Sequence, residues 1–301
     1  MKGVKYKMIK PYDFVPFLPY KPYDDVKAER GDGKIPIRVK TLTPVHISSG
    51  EYTVSGDNSM IYKEFVKVNG VPVIPGTSFK GCIRSIAESI SYSCLYIFDK
   101  QKKELIPEFK LEAQEKDHEK NKEQRNENGK KCIVSDMFGM PGQKSKIVFN
   151  DLKGVPNKYK LEIKGIPTSF RPNPDAEYYL ENGKYKGYKF YKHGINGIQP
   201  KGNMLCEFVA ENSLFEGEII YKNLTEEQIR LLCFSLGLSG DINPKIGYGK
   251  NYFYGSIEVT SDAKWVEKAK QYKNIEKDDI KNNINLIISI LNYKNAVTSV
   301  D

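Results

Sequence analysis

The stretch Ile74-Pro75-Gly76-Thr77-Ser78-Phe79-Lys80-Gly81-Cys82-Ile83-Arg84 constrains this chain more than any other, because it turns a loop into a helix of defined register. Pro75-Gly76 is a turn pair, Thr77 or Ser78 can cap a helix, and Phe79, Ile83, Ile86, Ala87 and Ile90 recur at helical spacing. A helix is expected over 78–98. The first amides of a helix lack partners and carry partial positive charge, so Gly76, the two hydroxyls, Lys80 and Arg84 together form a trap of phosphate size. A capped helix whose Lys and Arg merely face water would use the same residues, and the stretch alone does not decide between the two.

Composition narrows what such a trap would hold. The net charge is +9, and the chain also carries 20 Tyr and 14 Phe. That mixture suits a partner offering phosphates and flat bases, so nucleic acid is the expected ligand. A membrane is not, since the sequence has neither a run of about 18 apolar residues nor a basic amphipathic segment. Met1-Lys2-Gly3-Val4-Lys5 lacks the apolar core of a signal peptide, and a cytoplasmic location is expected. Cys82, Cys94, Cys132, Cys206 and Cys233 show no C-x-x-C spacing, which points to reduced, mostly buried thiols rather than zinc or a disulfide framework.

Three regions follow from the patterning. Residues 1–33 interleave Pro11, Pro16, Pro19 and Pro22 with Tyr12, Phe14, Phe17, Tyr20 and Tyr23, which disfavours helix and reads as an extended arm. Residues 34–260 form the main domain. Ile35, Ile37 and Val39 alternate with polar neighbours in a half-buried strand running to about Val45, followed by the small polar loop His46-Ile47-Ser48-Ser49-Gly50. A turn at Ser55-Gly56-Asp57-Asn58-Ser59 and a hairpin over 61–74 around Asn69-Gly70 come next. After the helix, residues 99–131 are crowded with charge and read as an exposed insertion, or as a lid over bound polymer.

Beyond the insertion, a short strand is expected within 133–152, a long loop over 153–203 and a strand pair at 204–210 and 215–221. Thr225-Glu226-Glu227-Gln228 is a capping box opening a helix through Leu236. The glycine-rich run Lys245-Ile246-Gly247-Tyr248-Gly249-Lys250 precedes a last strand at 252–259, and a C-terminal helical extension fills 261–301. The core elements run strand, helix, strand, strand, helix, strand. That order belongs to an α+β, ferredoxin-like or modified RNA-recognition-motif fold carrying insertions and a helical tail.

Three segments together resemble the RAMP superfamily, the repeat-associated proteins of CRISPR effector complexes. They are Thr43-Pro44-Val45-His46-Ile47-Ser48-Ser49-Gly50, the opening stretch through Arg84, and the run from Lys245 to Lys250. Met137-Phe138-Gly139 followed by Lys146-Ile147-Val148-Phe149 also looks like the Phe-Gly loop and strand of backbone-type subunits in type III complexes. The resemblance spans about 40–260. It implies a crRNA-binding subunit that grips the guide by its backbone, meets target RNA, and contacts other CRISPR effector subunits or copies of itself. His46, Ser48, Ser49, Gly76, Thr77, Ser78, Lys80, Arg84, Lys245, Gly247, Tyr248, Gly249 and Lys250 are the RNA-binding candidates on this basis. Lys80 and Arg84 lie one helical turn apart and can meet one strand of phosphates.

Some relatives of this type cleave target RNA with a loop aspartate beside Mg²⁺. Asp57 is the catalytic and metal-binding candidate here, with Glu51 behind it. Asp57 stands in Gly-Asp-Asn-Ser rather than in the Asp-x-Pro setting associated with cleaving members, and a turn-forming aspartate is the alternative. His46 is a second catalytic candidate, because related repeat-processing endoribonucleases use histidine as general acid or base. A pure scaffold needs no cofactor. The Gly-Tyr-Gly run lacks the Gly-Lys-Ser/Thr ending of a P-loop, so ATP is not expected.

Overall fold

The computed structural model describes residues 10–23, 28–56, 59–94, 98–99, 104–105, 131–169, 177–182 and 184–299. In chain order its main elements begin with β1 (Tyr12–Val15), β2 (Arg30–Thr41), β3 (Ser48–Val54), β4 (Ile61–Phe65), β5 (Val71–Ile74) and α1 (Gly76–Ser89). Then come α2 (Ile133–Phe138), β6 (Ile147–Phe149), β7 (Leu152–Gly154), β8 (Leu161–Ile166), β9 (Tyr188–Tyr191), β10 (Met204–Val209) and β11 (Leu214–Thr225). Finally α3 (Glu226–Ser235), β12 (Ile257–Thr260), α4 (Ala263–Lys273) and α5 (Asp278–Leu291) close the chain, which is a mixed α+β protein.

The central sheet runs β12, β2, β11, then β6 and β7 side by side, then β5, and every neighbouring pair is antiparallel. Alternation in β2 decides which face is inside: Ile35, Ile37 and Val39 are buried, while Arg38 reaches Glu216 on β11 at 2.6 Å in an exposed rung. Helix α1 lays Phe79, Ile83, Ile86 and Ala87 into the core. Helix α3 is buried on nearly every side, with Leu231 and Phe234 enclosed as fully as Leu232 and Cys233, because α4 packs along its outer face.

A second sheet runs β8, β10, β4, β3. Residues 204–210 and 215–221 are strands, yet they do not pair with each other: β10 joins this sheet while β11 joins the central one. Within 153–203, expected as loop, the chain forms β8 and β9, and β9 pairs with β1 of the N-terminal arm. The arm thus ends as a strand seated on α5. Helix α1 ends at Ser89 rather than near 98, and most of the charged insertion lies outside the described residues. All five cysteines are free thiols, four of them buried.

The capping box at α3 is complete. Gln228 N–H donates to Thr225 Oγ1 at 3.3 Å, and Thr225 N–H donates to Gln228 Oε1 at 3.0 Å. Thr225→Ala leaves the Gln228 amide short of its partner, and a loss of about 1 kcal/mol is expected, read as a lower urea midpoint at unchanged slope.

Candidate nucleic-acid interface

Two sequence segments that lie far apart meet largely backbone to backbone, and a third joins them through a side chain. Tyr248 N–H donates to the His46 carbonyl at 2.9 Å, Gly255 N–H to the Pro44 carbonyl at 3.0 Å, and Ser256 N–H to Thr43 Oγ1 at 3.0 Å. Gly247 sits at φ +82°, and a Cβ there would collide with the His46 carbonyl oxygen, so only glycine lets the loop approach this closely. From the other side the Cys82 thiol of α1 donates to the Lys245 carbonyl at 3.2 Å. A cleft of about 460 Å³ opens between them. Ser78, Cys82 and Ser85 of α1 form one wall, Gly247 and Lys250 another, and Lys189 and Tyr191 of β9 the third.

The start of α1 differs from the sequence expectation. The helix begins at Gly76, so Thr77 and Ser78 are exposed in its first turn, and no side chain caps it from Pro75. Instead the Asp151 carboxylate accepts the Gly76 N–H at 2.8 Å, placing an internal anion at the positive end of the helix. Gly76 is also a packing glycine: a Cβ would run into the Phe149 carbonyl oxygen of β6. Further along, Lys80 is half-buried, and burial together with the neighbouring Arg84 charge lowers its pKa. Arg84 is directed inward, with Nε on Glu88 Oε1 at 2.7 Å and Nη1 on the Gly139 carbonyl at 3.0 Å. It therefore pins the Phe138-Gly139 loop to α1.

The loop lysines are likewise turned to the protein. Lys245 is 6% exposed and its Nζ donates to the Lys192 carbonyl at 2.8 Å. Burial, with the Lys250 charge nearby, pushes its pKa down to about 7. Lys250 Nζ folds back to the Gly247 carbonyl at 2.7 Å, and burial lowers its pKa as well. Tyr248, half-buried, stands edge-on to the His46 ring.

His46 is 1% exposed. Its Nδ1 lies 2.6 Å from the Glu207 carbonyl, its Nε2 meets no partner among the described residues, and burial lowers its pKa. The ring packs among Phe65, Phe208 and Tyr248, so it has no open face from which to touch RNA or move a proton. Ser48 and Ser49 are exposed, and each hydroxyl accepts an amide two residues on, from Gly50 and Glu51. Glu51 is exposed on β3. Asp57 lies outside the described residues, and among those described no three His, Cys, Asp or Glu side chains gather as metal ligands would.

The structure adds residues that the sequence did not single out. Lys189 Nζ stands 4.2 Å from the ring centre of Tyr12, 4.7 Å from Tyr179 and 4.9 Å from Tyr191. Burial alone would lower its pKa, but hydrogen bonds to Tyr179 and Tyr191 outweigh that and raise it, so the ammonium stays charged at the cleft. On the second sheet Lys63 Nζ lies 5.9 Å from the ring centres of both Tyr52 and Tyr248, and Tyr52 is exposed. The alternation Tyr188-Lys189-Phe190-Tyr191 was the available signal for β9.

A family model described as the RAMP superfamily matches residues 38–258. The chain belongs to the RAMP superfamily. A CRISPR-associated, RNA-binding role in general goes with that membership. The matched span takes in all three converging segments of this RAMP protein, from Pro44 to Gly255. No curated protein matches the chain closely in sequence. Among the described residues no helix is long and apolar enough to cross a membrane.

Two outcomes follow from the loop. Gly247→Ala forces a methyl group onto the His46 carbonyl at a left-handed φ, and a loss of about 1–3 kcal/mol in unfolding free energy is expected. The depressed Lys245 makes stability pH-dependent: the unfolded chain binds a proton that the folded chain lacks between pH of about 7 and about 10, so stability rises across that window. In Lys245→Met that contribution is absent, and the melting temperature should climb less steeply over the same window in a pH series.

Proposed function

We propose that this RAMP protein is a crRNA-binding subunit of a type III CRISPR effector complex, acting in the cytoplasm in antiviral defence and built on a ferredoxin-like core. The strand order supports the core. Numbering only the four core strands β2, β6/β7, β11 and β12 from one to four, the sheet reads four, one, three, two, with α1 following the first and α3 the third. The convergence of α1 and the glycine-rich loop on one cleft supports the grip, and it is the observation on which the reading rests.

The cleft suits a ribose-phosphate chain. Its rim offers the Ser78 and Ser85 hydroxyls, the Lys189 ammonium and the ring of Tyr191, while Lys80 stands on the same helix as the two serines. Arg84, Lys245 and Lys250 serve the site by holding its walls. Neighbouring subunits of the complex would meet the chain through the arm and the helical tail, which border the cleft through β1 and Leu291.

Replacing both Lys80 and Lys189 with Ala tests the reading. Binding to single-stranded RNAs of unrelated sequence should weaken by a similar factor for each, and the slope of log K against log salt should fall by about 0.7 per lost phosphate contact. Unchanged affinity and slope, in a variant whose melting temperature matches the parent, would overturn it. Arg84→Ala should differ in kind, because losing its bonds to Glu88 and Gly139 lowers the melting temperature as well.

A further inference from the structure

Cys94 follows the C-terminal end of α1 and Cys132 immediately precedes α2, and their sulfurs lie 2.7 Å apart. Non-bonded heavy atoms usually stop at about 3.5 Å or beyond, while a disulfide closes at about 2.05 Å, so bond formation requires a movement of less than about 1 Å. Both side chains are buried, at 6% and 1% exposure. Ser135 Oγ sits 3.1 Å from one sulfur and 3.2 Å from the other, and Ser135 N–H donates to Cys132 Sγ at 3.3 Å. No other cysteine shares this setting; Cys82, for one, is committed to the Lys245 carbonyl.

We infer that Cys94 and Cys132 form a two-electron oxidation site that closes to an intramolecular disulfide when the chain meets a peroxide. The Cys132 thiolate attacks one peroxide oxygen, the O–O bond breaks, and a sulfenic acid and hydroxide result. The Cys94 sulfur then attacks the sulfenyl sulfur, the S–S bond forms, and the S–O bond breaks to release a second hydroxide. The two thiol protons convert both hydroxides to water, so one peroxide is reduced as two thiols become one disulfide. Hydrogen bonding from Cys94 and from Ser135 holds the Cys132 thiol below its ordinary pKa, which makes it the attacking partner.

Access and consequence both follow from place. Ile133, the residue after Cys132, lines a cleft of about 300 Å³ together with Tyr23, Ser91 and Tyr92, and a small oxidant would approach the buried pair from that side. The two positions are 38 residues apart and bracket the charged insertion, so the bond would close that insertion into a ring anchored at α1 and α2. Helix α2 leads straight into Gly139, whose carbonyl Arg84 holds, and oxidation would therefore tie the end of α1 to the loop that its middle already grips.

The test uses the full reduced chain and hydrogen peroxide. After denaturation and alkylation the untreated protein should carry five blocked thiols and the treated protein three, five minus the pair. A tryptic map should contain one reductant-sensitive cross-link, Cys94 to Cys132. The oxidised parent should melt higher than the reduced parent by about 5 °C, and a Cys94→Ser/Cys132→Ser double variant should show no such difference. Five alkylatable thiols after treatment, a bond to Cys82, Cys206 or Cys233, or irreversible sulfinic acid in place of the cross-link would each overturn the inference. The map is made on the parent chain, so the result stands even if the double variant folds poorly.

Discussion

The arrangement depends on how closely the backbone of 244–256 lies against that of 42–46. Leu42 N–H reaches the Ser256 carbonyl at 2.8 Å, Gly255 N–H the Pro44 carbonyl at 3.0 Å, and Tyr248 N–H the His46 carbonyl at 2.9 Å, while Ile246 N–H turns back to the Gly255 carbonyl at 2.8 Å. Each bond satisfies a backbone group that burial would otherwise leave without a partner. A Cβ at Gly247 would strike the His46 carbonyl oxygen and separate the two segments, and one at Gly255 would strike the Ile246 carbonyl oxygen and open the loop itself. With both present, the loop behaves as an extension of the first core strand. The loop wall of the cleft is therefore set by main-chain geometry rather than by mobile side chains.

That packing dictates the electrostatics. Lys245 and Lys250 are drawn under the loop, where their ammonium groups hydrogen-bond to carbonyl oxygens of Lys192 and Gly247. Burial disfavours their charged forms, and the lowered pKa values are the measure of that cost. Arg84 is also spoken for, and the Asp151 carboxylate offsets part of the positive pole of α1. The cationic character of the site consequently shifts to the rim, to Lys189 in its ring of tyrosines and to Lys80 on α1. Solvated rim charges respond to salt far more than buried ones do.

Local signals in the sequence were readable wherever the physics is local. The Thr225 capping box and the Asn69-Gly70 turn, with both residues at positive φ, stand as their patterns indicate. The pairing of 204–210 with 215–221 misled because Asn212 does take positive φ, as a hairpin turn would, yet β11 is claimed along its length by β2. Similarly, β9 went unread because its partner Tyr12–Val15 lies at the other end of the chain. The inward course of Lys245, Lys250 and Arg84 was illegible for a different reason. Basic residues ordinarily face water, and only the loop's position, fixed by distant backbone, encloses them.

What lines the cleft also bears on how RNA would be held. Apart from lysine on guanine, the bidentate pairings that discriminate bases use Arg, Asn, Gln or a carboxylate. The described residues lining this cleft include none of these; they are small, hydroxylic, aromatic, aliphatic or lysine. Hydroxyls and ammonium groups serve phosphate and ribose oxygens equally well under any base, and a tyrosine ring stacks on every base. Such a surface discriminates little between sequences while still fixing where the backbone runs. The crRNA-holding role proposed above calls for a grip blind to sequence, and a cleft lined by hydroxyls, lysine and aromatic rings is the chemistry that such a grip would use.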